Sequence, residues 1–407
     1  MILFVPDNAT HVKTFVPIAT CLLRRGAEVR FLCRDEVVWP IYRTGPSIQQ
    51  AGMQATYFRG TYFGDVGRIC PRPKEYARLR RKVQLFLRKS RFDVCVFAND
   101  CASLFNRLLV HFAKRAGRQT VLIQESVRPS TRRLPLLVRL RELGASAVAA
   151  EALQDLARFF RAGPFFQKGY GLSGCDIIVA SGNVFRRSLI QRGVRKDSIV
   201  VCGQPRLDGA RASPGSYHAS LPGNDANCRT VLFCRQPLNC SRRAQAEFFR
   251  FLIRTCDRMK NVALLVKLHP RDEPVGYWRS LLKNGIGKSL IDIVNGPRLS
   301  ECLDRSDAVL VNASTTCLEA MMRGRPVITV NYLPTTWYLD YARFGAVLSV
   351  DRPSGLEGAI RTALFEEETR SRLVQNAEAV LREELFLLDG KSAERIADLL
   401  EKVARGE

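Results

Sequence analysis

The chain alternates short apolar runs with amphipathic stretches of helical length, and this series occurs twice. In the first half the apolar runs occupy residues 2–5, 28–33, 94–98, 120–124, 175–180 and 198–202. In the second half they occupy residues 230–234, 262–267, 291–294, 308–311, 327–330 and 346–350. Helices are predicted at 14–25, 103–116, 243–258 and 317–322, with a helical tail over 354–403 that breaks near Asp389 and Gly390. Short, nearly continuous apolar runs are typical of strands that are buried on both faces of a sheet. Their alternation with helices therefore predicts an α/β fold of parallel, doubly wound sheets.

A turn-rich segment, residues 210–228, separates the two series of strands. With 407 residues the chain is long enough for two domains, each with its own core. We expect an N-terminal Rossmann-like domain over 1–205, a linker over 206–228 and a C-terminal domain over 229–380. Residues 381–407 are predicted to form a helix that packs back on the N-terminal domain. Residues 128–172 interrupt the rhythm and are interpreted as an insertion.

The net charge of +24 is concentrated in the first half of the chain. Residues 1–200 hold 34 Lys and Arg against 14 Asp and Glu. Residues 68–91 hold ten basic side chains against Glu75, and Arg80, Arg81 and Lys82 lie at their centre. A second basic cluster, from Arg128 to Arg141, contains no acid. Such surfaces attract polyanions such as anionic lipid headgroups or acidic glycans, although a solvated basic helix is an equally good interpretation.

The sequence shows no run of about 18 apolar residues and no secretory signal at its start. Its 13 cysteines are scattered, without the spacing of a zinc site, so they are interpreted as reduced core residues. These features predict a cytoplasmic protein with no metal site and no bound cofactor.

The residues best suited to chemistry follow two apolar strands of the second half. Lys267 and His269 end one strand, and Ser314, Thr315 and Thr316 come directly after another and open a helix. In an open parallel sheet, ligands bind at the carboxyl ends of the strands. A hydroxyl-rich helix start opposite a cation and an imidazole is the chemistry of a diphosphate site. Each feature also has a structural explanation, a helix cap or a turn before Pro270.

Glu319, one turn into the same helix, is placed to accept hydrogen bonds from ribose hydroxyls. A Gly-x-Gly-x-x-Gly run at 169–174 is not a dinucleotide fingerprint, because it precedes a strand instead of following one. His11, in the loop after the first strand, is interpreted as a structural residue.

The run from Lys267 to Pro270 resembles the His-Pro motif of GT-B glycosyltransferases that build bacterial capsule and lipopolysaccharide. The segment from Ser314 to Glu319 and Gly324-Arg325-Pro326 is similar to the donor-binding half of those enzymes. Similar enzymes also carry a Gln-Pro pair, as at Gln236-Pro237 after Arg235, and a Tyr-x-x-x-Gly-Ala run, as at 341–346. The resemblance implies two Rossmann-like domains facing a cleft, with a nucleotide sugar held by Arg235, Lys267, His269, Ser314, Thr315, Thr316 and Glu319.

The first half resembles the hydrolysing UDP-N-acetylglucosamine 2-epimerases. Those enzymes carry an Asp after one strand and a Glu after the next, and Asp100 and Glu125 stand at the matching positions. The resemblance implies that Asp100 and Glu125 are acid/base carboxylates, with Glu125 the favoured one, while a loop-capping role for both remains an equally good interpretation. Two departures favour transfer over epimerisation: Ser314-Thr315-Thr316 stands in place of a Ser-Gly-Gly phosphate turn, and Glu319 is single instead of paired.

The sequence therefore predicts glycosyl transfer from a UDP- or CMP-linked sugar to a surface polysaccharide or glycolipid. His269 is expected to stabilise the leaving phosphate, while Glu125 or Asp100 deprotonates the acceptor. Because no Asp-x-Asp pair is present, the reaction is predicted to be metal-independent. Arg80, Arg81, Lys82 and Arg128 are predicted to face the acceptor or the inner face of the membrane, and no nucleic acid partner is expected.

Two alternatives remain open from the sequence alone. One is a UDP-N-acetylglucosamine 2-epimerase-like enzyme that uses the same cleft without an acceptor. The other is a non-enzymatic protein that binds polyanions through the basic first half.

Overall fold

The structure is a computed structural model. It describes residues 1–36, 38, 42–59, 73–101, 103–125, 130–131, 164, 169–210, 228–236, 242–269, 274–282, 291–295, 299–312, 314–332, 337–338 and 341–407. The chain divides into two compact units. Unit 1 contains Met1–Val127, Leu134–Gly209 and Glu383–Glu407, and unit 2 contains Arg128–Arg133 and Ala210–Arg382.

Strands and helices alternate along most of the described chain. The strands are β1 (Ile2–Val5), β2 (Val29–Cys33), β3 (Ala55–Tyr57), β4 (Val94–Phe97), β5 (Gln119–Ile123), β6 (Ser130–Thr131), β7 (Ile177–Ala180), β8 (Ile199–Val201), β9 (Arg229–Cys234), β10 (Val262–Lys267), β11 (Ile291–Val294), β12 (Ala308–Val311), β13 (Val327–Val330), β14 (Trp337–Tyr338) and β15 (Leu348–Val350). The α-helices are α1 (Ala9–Arg24), α2 (Gly45–Gln50), α3 (Pro73–Lys89), α4 (Leu104–Arg115), α5 (Asn183–Gln191), α6 (Arg242–Arg258), α7 (Val275–Ser280), α8 (Leu299–Asp304), α9 (Thr316–Met322), α10 (Leu356–Phe365), α11 (Glu367–Leu385) and α12 (Ser392–Arg405).

Unit 1 is built on a parallel sheet with the strand order β3-β2-β1-β4-β5-β7-β8. The side chains of β1 alternate between two separate cores. Leu3 and Val5 pack on one face with residues of α3 and α4. Ile2 and Phe4 pack on the other face with residues of α1 and α12. Because both faces of the sheet are covered, the central strands β1, β4 and β7 are apolar at every position, as the sequence pattern predicted.

Helix α1 begins at Ala9, earlier than the predicted start at residue 14. Asn8 caps it, since its side-chain oxygen accepts hydrogen bonds from the backbone N–H groups of Thr10 and His11 at 2.9 and 3.0 Å. The first turn of the helix is polar, so the spacing of apolar residues does not predict it, and the cap at Asn8 is what starts the helix there.

The end of the chain completes unit 1. Helix α12 packs against α1, and its Ile396, Ala397 and Leu400 are buried in the core that Phe4 enters. Both carboxylate oxygens of Asp208 accept hydrogen bonds at the start of α12, from the backbone N–H groups of Ser392 and Ala393 at 3.0 and 2.8 Å.

Unit 2 is built on a second parallel sheet, with the order β11-β10-β9-β12-β13-β15. Its core includes Val231, Phe233, Leu264, Val266 and Leu310. A short antiparallel pair, β6 with β14, also belongs to this unit, so a two-residue strand from the first half of the sequence pairs with residues 337–338.

The prediction of an α/β fold with two doubly wound, Rossmann-like parallel sheets is confirmed. The predicted tail consists of α10, α11 and α12, and Gly390 adopts a left-handed φ of 72° at the predicted break. None of the described helices is long and apolar enough to cross a membrane.

Candidate functional site

The carboxyl edge of the unit 2 sheet brings several predicted residues together. The strand order changes direction between β9 and β12, and such a switch point is where parallel sheets bind ligands. Cys234, the last residue of β9, is level with Lys267 of β10 and Val311 of β12. Adjacent strands lie about 4.8 Å apart, so the residues that follow these three positions lie close together.

Arg235 follows β9 at the switch point and is held in place on several sides. Its backbone N–H donates to the Lys267 carbonyl at 3.0 Å. Its guanidinium donates to the side-chain oxygen of Gln245 and lies over the ring of Trp278, 4.0 Å from the centroid. Arg235 is half-buried, so it presents a positioned cation at this edge.

Lys267 and His269 end the neighbouring strand, β10. Both side chains are half-buried. The Lys267 ammonium donates to the Leu268 carbonyl at 3.1 Å, which keeps this cation at the strand end.

The hydroxyl-rich segment after β12 differs in detail from the prediction. Thr315 is the N-cap residue of α9, but its side chain makes no capping hydrogen bond. Instead the Ser314 hydroxyl accepts from the Thr316 backbone N–H at 3.3 Å and is 3.0 Å from the Thr316 hydroxyl. The three residues therefore form a compact hydroxyl turn that opens α9.

Glu319 lies in the first turn of α9 and is half-buried. Burial raises the pKa of the Cys234 thiol, with further increases from Cys302 and Glu319 and a decrease from Lys267. The two charges act on the same buried thiol, which places Glu319 and Lys267 near the end of β9.

Asn312 is a residue of this edge that the sequence interpretation missed. It directly follows β12, is 2% exposed, and its side-chain Nδ2 has no hydrogen-bond partner among the described residues. A buried amide donor without a partner is costly in a folded protein. Its position one residue past an apolar strand is the sequence signal that could have identified it.

Asp100, in unit 1, holds a loop. Its side chain is fully buried, and its two carboxylate oxygens accept hydrogen bonds from the backbone N–H groups of Gly171 and Ser173, each at 2.9 Å. Gly171 and Gly174 adopt left-handed φ values of 82° and 90°. The glycine run at 169–174 is thus a loop anchored by Asp100, and this geometry favours a structural role for the carboxylate over the acid/base role that the resemblance implied.

Glu125 is placed differently. It lies two residues past β5 and is half-buried. Its backbone carbonyl accepts from the Gln204 amide at 2.6 Å, which fixes the backbone. Among the described residues its carboxylate has no hydrogen-bond or ion-pair partner, so it is available for chemistry.

A polar cluster at the switch point of the unit 1 sheet was also missed. Asp7 follows β1 and pairs with Arg34, which follows β2 and is 3% exposed. The Asn106 amide donates to Asp7 at 2.9 and 3.0 Å, and His11 Nδ1 accepts from the Asp7 backbone N–H at 3.0 Å. Arg34 directly follows β2, so the strand-end rule could have identified it, whereas Asn106 lies in the first turn of α4 and carries no such signal.

Of the residues predicted to face the acceptor or the membrane, the structure describes three. Arg80 and Arg81 are exposed on α3 and Lys82 is half-buried there. The Arg80 guanidinium lies 5.8 Å from the ring centroid of Phe112 on α4. Arg128, and most of the insertion predicted over 128–172, lie outside the described residues. Within the part of the chain that the structure describes, no cluster of His, Cys, Asp and Glu is arranged to hold a metal ion.

Comparison with known proteins places this chain in a family. A family model described as UDP-N-acetylglucosamine 2-epimerase matches residues 174–401, more than half of the 407 residues. The chain belongs to the UDP-N-acetylglucosamine 2-epimerase family. No curated protein sequence matches it at a significant level.

Solved structures of similar fold include family members and glycosyltransferases. A putative UDP-N-acetylglucosamine 2-epimerase from Listeria monocytogenes matches with a TM-score of 0.64 and 13% identity, over 100% of this chain and 97% of that one. The UDP-GlcNAc 2-epimerase from Neisseria meningitidis, bound to UDP-GlcNAc, matches with a TM-score of 0.61 and 11% identity, over 98% and 99%. The forosaminyltransferase SpnP of spinosyn synthesis matches with a TM-score of 0.56 and 17% identity, over 99% of each chain. At these identities the likeness shows the shared GT-B-type fold.

Membership of the UDP-N-acetylglucosamine 2-epimerase family makes the chain an enzyme of nucleotide-sugar chemistry. The matched region begins at Gly174 and includes the sheet edge that carries Arg235, His269 and Glu319. It therefore covers every predicted nucleotide-sugar residue of unit 2.

Proposed function

We propose that this protein is a glycosyltransferase that moves a sugar from a UDP- or CMP-linked donor to a surface polysaccharide or glycolipid acceptor of the capsule or lipopolysaccharide type. The observation that carries the proposal is the edge of the unit 2 sheet, where Arg235, Lys267 and the hydroxyl turn of residues 314–316 stand at or just past the ends of neighbouring strands beside a switch point. Cations, hydroxyls and backbone N–H groups at such an edge suit a diphosphate.

In the proposed reaction, the bond between the anomeric carbon of the donor sugar and the phosphate oxygen breaks, and negative charge grows on the leaving phosphate. Arg235 and Lys267 balance that charge, and His269 donates a hydrogen bond to a phosphoryl oxygen. Glu319 accepts hydrogen bonds from ribose hydroxyls. Because protein cations supply the balancing charge, we expect turnover to persist in excess EDTA.

Deprotonation of the acceptor hydroxyl is assigned to Glu125. Its carboxylate is half-buried and has no partner among the described residues, whereas the Asp100 carboxylate is occupied by two backbone N–H groups. A general base must be able to reach the proton that it removes, and this requirement favours Glu125.

The second candidate is 2-epimerisation of a UDP-sugar, and the family match over residues 174–401 favours it. Against it stand Thr315 and Thr316, because the resemblance puts them in place of the two glycines of the epimerase phosphate turn. A turn with side chains holds a diphosphate differently from a glycine turn, because the backbone cannot approach the phosphates as closely.

The deciding experiment supplies UDP-N-acetylglucosamine and other UDP- and CMP-sugars with and without glycan acceptors from a surface polysaccharide. Transfer predicts nucleotide release that depends on the acceptor and is lost in His269→Ala. Release of UDP together with N-acetylmannosamine, without any acceptor, would establish the epimerase instead. A thermal-shift screen of UDP, CMP, CDP and GDP complements this test, since a nucleotide at about 100 times its Kd adds about 2.7 kcal/mol of stability.

The proposal places the enzyme in the cytoplasm, at the inner face of the membrane where such acceptors are built. The exposed cations Arg80 and Arg81 and the half-buried Lys82 on α3 support this location. A basic surface holds a protein near anionic lipid or an acidic glycan through charge attraction that weakens with salt.

A further inference from the structure

Helix α3 carries an exposed leucine at the centre of its outward face. Leu79, Val83 and Leu87 bury one side of this 17-residue helix in the core of unit 1. Leu85, on the other side, is 44% exposed. A single exposed leucine is common in soluble proteins and needs no explanation by itself. Its neighbours make this one unusual.

All four neighbours of Leu85 on the helix surface are cations. Residues three and four positions away are adjacent on a helix, and these positions hold Arg81, Lys82, Arg88 and Lys89. Arg81, Arg88 and Lys89 are exposed and Lys82 is half-buried. None of the four forms an ion pair with a carboxylate of the described residues.

Helix stability does not account for this arrangement. Arg88 and Lys89 lie in the last turn, where the helix dipole favours cations. Arg81 and Lys82 lie in the middle of α3, where the dipole offers nothing, and Arg78 adds like charge three and four positions before them. The cost of this repulsion is removed when a dense anionic surface supplies the opposite charge.

We infer that the outward face of α3 docks on an anionic lipid bilayer. The four cations contact the headgroup phosphates, and Leu85 enters the boundary between headgroups and acyl chains. The long stems of Arg and Lys lie along an apolar interface while their charges reach the headgroups, which fits a leucine surrounded by cations. A nucleic acid offers the same negative charge but no apolar layer for Leu85. The inference rests on the membrane location given in the proposed function and deepens it by naming the surface that binds, but it uses one helix and none of the donor-site residues.

Co-sedimentation of the full-length protein with vesicles tests the inference. We compare vesicles of equal phosphatidylglycerol and phosphatidylcholine with vesicles of phosphatidylcholine alone. The wild type is expected to bind the anionic vesicles only. Since each cation at an anionic surface contributes about a fivefold affinity gain, Arg81→Ser with Lys82→Ser weakens binding about thirtyfold. Leu85→Ala weakens it roughly fivefold, because less apolar surface enters the bilayer.

A matched control removes two exposed cations from unit 2, Arg254→Ser with Lys260→Ser. This variant has the same net charge as the α3 double variant, so equal weakening in both would show a net-charge effect and overturn the inference. Full vesicle binding by Leu85→Ala, with duplex DNA competing for the same face, would also overturn it. Nucleotide thermal shifts are expected to be unchanged in all these variants. If the wild type shows no nucleotide response, the proposed function fails while the vesicle result stands.

Discussion

At the scale of single residues, neighbours decide which of two similar carboxylates is available for chemistry. Asp100 and Glu125 both follow central strands of unit 1, and from the sequence an acid/base role and a loop-capping role are open to both, with Glu125 favoured for the chemistry. The structure separates them, because the loop at 169–174, some seventy residues from Asp100 in the chain, supplies the N–H groups that occupy the Asp100 carboxylate. Strand-end positions can be predicted from local apolar runs. The hydrogen bonds to the Asp100 carboxylate come from a loop distant in the sequence, so they could not be predicted in this way.

The contrast predicts opposite effects for two conservative substitutions. Asp100→Asn replaces a buried charged acceptor of two N–H groups, so the free energy of unfolding is expected to fall by about 1–3 kcal/mol, with turnover per folded molecule retained. Glu125→Gln is expected to leave unfolding unchanged and to lower kcat about a hundredfold or more. Denaturant unfolding and acceptor-dependent turnover, measured on both variants, check the pair. Loss of turnover in Asp100→Asn at full stability would reverse the assignment.

Substitution of Asn312 is expected to affect the free energy of unfolding and the binding of the nucleotide in different directions. Its buried Nδ2 has no partner among the described residues, and removing an unsatisfied donor relieves a cost of about 1–3 kcal/mol. Asn312→Leu is therefore expected to keep or raise the free energy of unfolding of the ligand-free enzyme, while the stabilisation by its nucleotide declines. Thermal unfolding with and without the responding nucleotide measures both quantities. A destabilised variant with a full nucleotide response would show that Asn312 is only a core residue.

At the scale of elements, most strands of the two large sheets and three of the four short predicted helices were predicted closely from local patterns. The bounds of Ile2–Val5, Val262–Lys267 and Ala308–Val311 match the prediction, because strands covered on both faces form nearly continuous apolar runs. Helix α3 was recognised only as a basic cluster, since its apolar stripe is narrow among the cations. The pairing of β6 with β14 joins segments some two hundred residues apart, and no local pattern encodes it.

The contact between α12 and the loop that follows β8 depends on a glycine. Gly203 has a left-handed φ of 92°, and a Cβ there would collide with the hydroxyl of Ser392 at the start of α12. Gly193 has a φ of 91° with nothing within 4 Å of the same added atom. Both Gly→Ala variants pay for backbone strain of about 1 kcal/mol, but only Gly203→Ala adds a clash.

Gly203→Ala is therefore expected to lower the free energy of unfolding by about 1–3 kcal/mol more than Gly193→Ala does. Ser392→Ala in the Gly203→Ala background removes the colliding hydroxyl and should recover part of the loss. Chemical denaturation of the three variants provides the comparison. Equal losses for the two glycine variants would mean that α12 is not tightly seated on this loop.

At the scale of the whole molecule, buried thiols make the fold sensitive to alkali. Burial raises the pKa of Cys202 to about 11 and that of Cys256 to about 12, from an ordinary value of 9.0. Burial also raises the pKa of Cys95 and Cys175 well above the ordinary value. Above pH 9 the unfolded chain loses these protons while the folded chain keeps them, so stability falls as pH rises.

We expect the free energy of unfolding to fall between pH 9 and 11 by about 1.4 kcal/mol per pH unit for each such thiol. Denaturant unfolding in reducing buffer across this range measures the slope. Cys256→Ala should make the slope shallower by about one thiol, although it lowers stability at pH 7 by leaving a small cavity. A flat profile above pH 9 would contradict the burial of these thiols.

The return of the chain to unit 1 affects the order of events during protein synthesis. A ribosome releases the chain from its N-terminus, and domains generally fold in the order in which they emerge. The part of unit 1 up to residue 209 emerges first, yet the apolar surface that Ile396, Ala397 and Leu400 cover must wait for the final residues. Residues 210–382 can therefore complete unit 2 while unit 1 is still unfinished. A nascent chain that stalls before residue 383 holds an exposed apolar face, which makes this interval the one in which a chaperone matters most.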